Sequence, residues 1–247
     1  MSSEVMVWLS QIARVRTAGT SVLAVIAHPD EASLGLGAVL DAFIFAGATV
    51  KVLCLTHGQA WTLDAAPGDL ASLRGAELAS AADVLGPTRA KIQDCPDGAL
   101  SAVSQPRLVA EVVAAADSCF AEVLLVFDAA AATGHLDHMT ATAAALLASE
   151  TLNLPVLGWT LSETVAAQLA KEPGSGSIGQ RDQDIDLRVS LQRARHRMAS
   201  RAHTSPPVPG SAGWSRLKLL ADTQCLRWIR LPCGTPGRPT TSQEGPT

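Results

Sequence analysis

The chain has 247 residues, of which 47% are apolar and 17% are charged, so it is long enough for one sizeable core and too apolar to be a disordered chain. Its formal net charge of −4 is too small to indicate a nucleic-acid or membrane-surface partner. The five cysteines are scattered and contain no C-x-x-C pair, which argues against a disulfide framework and against a thiolate metal site.

Nothing in the sequence predicts a targeting or membrane segment. The first residues lack the basic flank and the apolar stretch of a signal peptide. No uninterrupted apolar run reaches the roughly 18 residues of a transmembrane helix. We therefore expect a cytoplasmic protein without a membrane span.

Short apolar strands alternate with Ala-rich, helix-compatible segments along most of the chain. The predicted strands are 21–26, 50–56, 122–127 and 155–159, and the predicted helices are 34–47, 71–85, 105–119 and 138–149. Gly47 and Gly86 stand where helix C-caps are expected. This alternation predicts an α/β, Rossmann-like fold with a mostly parallel sheet and helices on both faces.

The C-terminal part of the chain is less regular. We expect a strand at 184–190, an Arg-rich helix to about residue 203 and a late strand at 224–231, with loops at 173–180 and 206–213. One domain is predicted over residues 1–231. Residues 232–247 are rich in Pro, Gly, Thr and Ser and are predicted to form a disordered tail.

Basic residues are concentrated near the C-terminus. Residues 181–247 hold 11 Lys and Arg against 5 acidic residues, whereas residues 1–180 hold 8 against 18. Most of this excess is assigned to a probable helix, with Arg188, Arg193, Arg195, Arg197 and Arg201. Such a run is usually a solvated helix face, and the alternative is a basic wall beside an anionic substrate.

The first predicted strand runs into His28-Pro29-Asp30-Glu31. One histidine and two carboxylates in a single turn offer a metal both nitrogen and oxygen donors. Pro29 fixes its own φ and disfavours helical backbone at His28, so the turn is stiff. Taken alone, the segment could equally be a strand-to-helix turn with Asp30 as the helix N-cap.

A second histidine motif, Gly134-His135-Leu136-Asp137-His138, follows the predicted strand 122–127. His135 and His138 are three residues apart and face the same way if a helix begins there. Asp137 between them is placed to orient an imidazole. Because parallel strands end at the same edge of a sheet, the two motifs together predict a single hydrolytic zinc site.

These two motifs resemble the signatures of the LmbE-like or PIG-L family of zinc-dependent N-acetyl-sugar deacetylases, which read approximately A-H-P-D-D-E and G-H-P-D-H. The first corresponds here to residues 27–32, followed by the Gly-rich stretch 35–40, and the second to residues 134–138. Weaker similarities are Arg74-x-x-Glu77, Pro96-Asp97-Gly98 and a late helix ending in His203-x-Ser205. The resemblance runs from about residue 21 to 206 with its order preserved.

The resemblance implies a role for each matching position. His28, Glu31 and His138 would ligate Zn²⁺. Asp30 would be the general base that takes a proton from the metal-activated water. His135 would stabilise the oxyanion, and Asp137 would support a histidine.

The sequence departs from the family pattern at three positions. Glu31 stands for an Asp, Ala32 for a Glu, and Leu136 for a Pro. The extra methylene of Glu31 displaces its carboxylate by about 1.5 Å. Either the site has relaxed around the longer ligand, or metal binding and activity are weak. On sequence alone, we expect Glu31→Asp, with or without Ala32→Glu, to tighten zinc binding.

The resemblance also implies three substrate-binding candidates, Arg74, Asp97 and His203. The alternatives from the residues themselves are a surface ion pair for Arg74 with Glu77 and an ordinary turn for Asp97. His57 follows a strand end and is a weaker pocket candidate.

The expected function is removal of the acetyl group from a small-molecule N-acetylglucosamine-type conjugate, with a homo-oligomer possible. The alternative is a degenerate or non-catalytic member that binds a sugar conjugate or a metal. A nucleotide-binding Rossmann protein is disfavoured, because His28-Pro29-Asp30 occupies the place of a G-x-G-x-x-G turn.

Overall fold

The computed structural model describes residues 19–29, 31–32, 36–58, 89–128, 135–171, 178–190 and 223–231. The strands in this part of the chain are β1 Ser21–Ile26, β2 Thr49–Thr56, β3 Arg89–Cys95, β4 Val123–Phe127, β5 Val156–Thr160, β6 Leu187–Ser190 and β7 Thr223–Arg230. The helices are α1 Gly37–Phe45, α2 Gln105–Cys119, α3 Leu136–Leu152 and α4 Glu163–Leu169, with short 3₁₀ turns at Leu100–Ala102 and Asp182–Asp184.

All seven strands lie in one sheet of order β3-β2-β1-β4-β5-β7-β6. The first five in this order are parallel, and β7 runs antiparallel to both of its neighbours. From β1, the next two strands, β2 and β3, lie successively on one side, and β4 lies on the other side of β1. Adjacent strands β1 and β4 therefore flank a topological switch point, where open α/β sheets bind ligands.

Apolar side chains on both faces of the sheet explain why the strands are continuously hydrophobic. Val22, Ala24 and Ile26 of β1 face a buried cluster that includes α1 and α4. Leu23 and Val25 face the other buried cluster, which includes α2 and α3. The predicted α/β fold, with a mostly parallel sheet covered by helices on both faces, is confirmed.

Most predicted elements lie where expected. β1 and α2 match their predicted bounds, and α3 extends the predicted helix 138–149 at both ends. Gly47 follows Ala46, the C-cap of α1, and has a φ of +90°, as is typical of a glycine at the end of a helix. Two elements were not predicted. β3 is an edge strand that carries three charged residues, Arg89, Lys91 and Asp94, and α4 is only seven residues long.

One prediction near the C-terminus is corrected. Arg188 belongs to strand β6, which lies within the predicted strand 184–190, and not to the Arg-rich helix to which it was also assigned. Its guanidinium pairs with Asp182 at 2.6 Å. A strand rather than a helix forms because Arg188 pairs in the antiparallel ladder with Cys225 of β7.

Several predictions lie outside the described residues. They are helix 71–85 with Gly86, the other four arginines of the Arg-rich segment, the loop 206–213 and the tail 232–247. The domain bounds stay a prediction. None of the described helices is long and apolar enough to cross a membrane.

Candidate metal centre and active site

The two histidine motifs meet at the switch point between β1 and β4. The turn that carries His28 and Glu31 follows β1, and the first turn of α3 carries His138. Because β1 and β4 pair in parallel, both segments emerge at the same sheet edge. The side chains of His28, Glu31 and His138 are 12%, 7% and 11% exposed, so they form a nearly buried polar cluster.

Three atoms of this cluster surround a common point. His28 Nδ1 lies 3.3 Å from Glu31 Oε1 and 3.3 Å from His138 Nε2, and Glu31 Oε1 also contacts His138 Nε2. Ligand atoms 2.0–2.2 Å from a tetrahedral Zn²⁺ are about 3.3–3.6 Å apart. Two of the three separations match this spacing, whereas Glu31 Oε1 and His138 Nε2 would have to move apart to admit an ion. With that movement, two imidazole nitrogens and one carboxylate oxygen form a donor set suited to a divalent metal such as zinc.

The Glu31 carboxylate is held in place by the turn that precedes it. Its Oε2 accepts a hydrogen bond from the Ala27 N–H at 2.9 Å and a longer one from the His28 N–H at 3.4 Å. This leaves Oε1 as the atom directed at the histidines. The longer side chain therefore folds back on its own backbone, and the extra methylene is accommodated within the turn.

Ala32 has become part of the apolar core. It is 2% exposed and belongs to the buried cluster on the α1 face of the sheet. A glutamate at this position would need a polar partner within that cluster. The departures at positions 31 and 32 are thus accommodated locally by backbone hydrogen bonds and by apolar packing.

Asp137 supports His28 from the side opposite the proposed ligand atom. Its Oδ2 lies 3.2 Å from His28 Nε2 and also accepts from the Gly98 N–H at 2.7 Å, while its Oδ1 accepts from the Leu100 N–H at 3.0 Å. A carboxylate on one imidazole nitrogen directs the other nitrogen toward a metal. The histidine that Asp137 contacts in this way comes from the other motif, 109 residues earlier in the chain.

Asp97 also faces His28. Its Oδ1 lies 3.0 Å from His28 Nε2 and 3.4 Å from the hydroxyl of Thr56, and its side chain is 3% exposed. The structure therefore places this substrate-binding candidate beside a proposed ligand. The other two substrate-binding candidates, Arg74 and His203, lie outside the described residues, as does the proposed base Asp30.

The cluster carries opposite charges that stabilise one another. Burial alone would lower the pKa of His28, but hydrogen bonding and charge from Glu31, with further contributions from Asp97 and Asp137, raise it from 6.5 to about 9. Burial would raise the pKa of Glu31, but the charges and hydrogen bonds of His138 and His28 lower it from 4.5 to about 2. In the metal-free protein, a proton on His28 thus balances the carboxylates around it.

His135 is the N-cap of α3 and is exposed at the edge of the cluster. Its Nδ1 accepts a hydrogen bond from the Asp137 N–H at 3.2 Å, so the proton of the neutral ring is on Nε2. Burial, followed by the charges of His138 and His28, lowers the pKa of His135 and keeps the ring neutral. Its ring stacks on that of His138 with centroids 4.9 Å apart. A neutral imidazole with a fixed N–H donor suits the stabilisation of an oxyanion.

Sequence reasoning missed three residues at this edge of the sheet. Thr56 donates to the Ala27 carbonyl at 2.9 Å, and Phe127 packs on His138 with ring centroids 5.3 Å apart. Asp128 is 2% exposed and forms a two-point ion pair with Arg227. All three missed residues, Thr56, Phe127 and Asp128, stand at the carboxyl ends of apolar strands, and that position was the available signal.

The family model PIG-L, described as GlcNAc-PI de-N-acetylase, matches residues 23–149. A search of curated proteins found no match.

Among solved structures, the fold is similar to the 4-carboxy-2-hydroxymuconate hydratase GalB of Pseudomonas putida, with a TM-score of 0.66, 14% identity and coverage of 89% of this chain and 99% of that one. It is similar to the N,N′-diacetylchitobiose deacetylase of Pyrococcus horikoshii, with a TM-score of 0.61, 16% identity and coverage of 85% and 84%. It is also similar to the A40926 pseudoaglycone deacetylase, with a TM-score of 0.60, 20% identity and coverage of 85% and 96%. These structures share the fold, and the family model covers half of the sequence and both histidine motifs, so the chain belongs to the PIG-L family.

Proposed function

We propose that the protein is a zinc-dependent deacetylase that removes the acetyl group from an N-acetylglucosamine-type sugar conjugate. The observation that carries the proposal is the convergence of His28 Nδ1, Glu31 Oε1 and His138 Nε2 in a chain of the PIG-L family. These three atoms would hold the metal. A bound Zn²⁺ supplies Lewis-acid polarisation of the amide carbonyl and lowers the pKa of water toward about 7.

Two other residues act directly on the reacting groups: one transfers a proton, and the other stabilises the negative charge that develops on the carbonyl oxygen. Asp30 accepts a proton from the attacking water and returns it to the departing nitrogen. As the carbonyl carbon becomes tetrahedral, the Nε2–H of His135 donates a hydrogen bond to the developing oxyanion. The C–N bond then breaks and leaves acetate and a free amino sugar.

The family model supports the proposed substrate class, since it is described as GlcNAc-PI de-N-acetylase. Fold similarity does not select it, because the same fold serves the GalB hydratase and several deacetylases. Arg74 and His203 remain proposed contacts to the sugar conjugate. A cytoplasmic location is part of the proposal and agrees with the four described cysteines, which are buried and form no disulfide within the described part of the chain.

The test is acetate release from a panel of N-acetylglucosamine conjugates by the protein loaded with one equivalent of Zn²⁺. His138→Ala should abolish metal binding and turnover. His57→Ala is the matched control, since His57 lies at the same sheet edge but pairs with the exposed Asp94 at 2.7 Å. We expect the control to keep both properties.

Two results would contradict the proposal. Zinc binding without acetate release across the panel would favour the degenerate, non-catalytic alternative. Equal turnover by the protein and by His138→Ala would remove the assigned site from the chemistry.

A further inference from the structure

Two hydrogen bonds join the turn after β3 to the first turn of α3. Asp137 accepts hydrogen bonds from the backbone N–H groups of Gly98 at 2.7 Å and Leu100 at 3.0 Å. The Asp137 side chain is 1% exposed, so these two charge-assisted bonds are shielded from water. They fix the position of residue 97 relative to the second histidine motif.

These two hydrogen bonds place a second carboxylate, that of Asp97, beside the Nε2 atom of His28. Asp97 Oδ1 is 3.0 Å from His28 Nε2, and Asp137 Oδ2 is 3.2 Å from the same atom. The Asp137 oxygen already accepts the short bond from Gly98, whereas Thr56 is 3.4 Å from the Asp97 oxygen. The Thr56 hydroxyl also donates to the Ala27 carbonyl at 2.9 Å, its shorter contact. Asp137 makes the hydrogen bond to Nε2 of His28, and Asp97 adds an ionic contact to the same atom at the shorter distance.

The burial of the Asp97 side chain distinguishes a contact with His28 from a contact with the substrate. The side chain of Asp97 is 3% exposed, compared with 93% for Asp94 near the end of the same strand. A carboxylate that recognises a sugar hydroxyl has to be reachable from the pocket. The Oδ1 atom of Asp97 instead lies 3.0 Å from Nε2 of the His28 imidazole.

We propose that Asp97 is a positioning residue of the metal centre, whose negative charge 3.0 Å from Nε2 of His28 reinforces the hydrogen bond from that atom to Asp137 and so presents Nδ1 of the ring to the metal. The inference deepens the proposed function and rests on His28 being a metal ligand. Carboxylate partners of ligating histidines typically contribute about 10- to 100-fold to metal affinity. Asp97 therefore acts on the metal through His28 and makes no contact with the acetylated substrate.

The test compares Asp97→Ala, Asp97→Asn and the control Asp94→Ala by competition titration of the metal-free proteins with Zn²⁺, together with the KM for the best acetylated substrate. We expect Asp97→Ala to weaken zinc binding about 10- to 100-fold with little change in KM. Asp97→Asn retains an oxygen acceptor and should recover part of the affinity. Asp94→Ala should match the unmodified protein. Unchanged zinc affinity with a raised KM in Asp97→Ala would overturn the proposal and restore the substrate-binding role.

A measurement without metal separates this inference from the proposed function. In long-range ¹H–¹⁵N spectra of the metal-free protein, the Nε2 resonance of His28 should move strongly in Asp97→Ala and little in Asp94→Ala. Identical His28 resonances in the unmodified protein and Asp97→Ala would overturn the inference, whether or not the protein binds zinc. If the His28 resonance shifts in Asp97→Ala but the unmodified protein binds no zinc, the contact between Asp97 and His28 is supported and the proposed metal site is contradicted.

Discussion

Glu31→Asp shortens the proposed carboxylate ligand to the length typical of the family. With the backbone in place, removal of one methylene withdraws the carboxylate by about 1.5 Å. The bond from Ala27 N–H to the carboxylate would then lengthen from 2.9 Å to about 4.4 Å, beyond hydrogen-bonding range. A hydrogen bond to a charged group contributes about 1.5–3 kcal/mol, which corresponds to roughly 10- to 100-fold in an equilibrium constant.

We therefore expect Glu31→Asp to weaken zinc binding about 10- to 100-fold, the reverse of the expectation from sequence alone. The assay is competition titration with a chromophoric chelator at constant pH. Glu122→Asp is the matched control, because Glu122 Oε2 accepts from the Ser21 N–H at 3.2 Å at the opposite end of β1. This control loses a similar backbone contact and should keep its zinc affinity. Tighter zinc binding in Glu31→Asp would refute the reasoning and show that the turn does not depend on the longer side chain.

Three further predictions concern neighbouring groups. Asp30→Asn should lower turnover about 10²- to 10⁴-fold at unchanged zinc content, whereas a steady-state assay showing full turnover would return Asp30 to the role of an N-cap. His135→Asn should lower turnover about 10²- to 10³-fold, but urea unfolding should show stability within about 1 kcal/mol of the original, since Asn also caps helices well. A large loss of stability with normal turnover would make His135 purely a cap. Because the pKa of His28 is about 9 without metal, zinc binding at pH 7 should release a proton from it, and affinity should rise about tenfold per pH unit up to pH 9. Calorimetry in buffers of different ionisation enthalpy measures this proton, and identical heats would contradict it.

The fold was predictable wherever strands are buried on both faces. β1, β2, β4 and β5 read as continuous apolar runs because helices cover the sheet on each side. β3 was not predicted because it is an edge strand, and its charged residues, such as Lys91 and Asp94, interrupt the apolar pattern. The sequence contains one indication of α4, the N-cap Ser162, whose hydroxyl accepts a hydrogen bond from the Val165 N–H. The antiparallel direction of β7 is set by tertiary packing, and no local pattern encodes it.

The site was predictable where it depends on strand order and motif chemistry. His28 and His138 converge because both follow parallel strands that pair at the centre of the sheet. The contact of Asp97 with His28 was not predictable, because it depends on the unpredicted strand β3 and on the backbone bonds to Asp137. The backbone anchoring of Glu31 was likewise invisible in the sequence. It is nevertheless the feature that reverses the expected effect of shortening this side chain.

The proposed metal site is tested most directly by anomalous diffraction at the zinc absorption edge from crystals of the protein loaded with Zn²⁺. We expect one peak per chain, about 2.0–2.2 Å from His28 Nδ1, Glu31 Oε1 and His138 Nε2. A map with no peak among these three atoms, at zinc concentrations that saturate the protein, would contradict the proposed site.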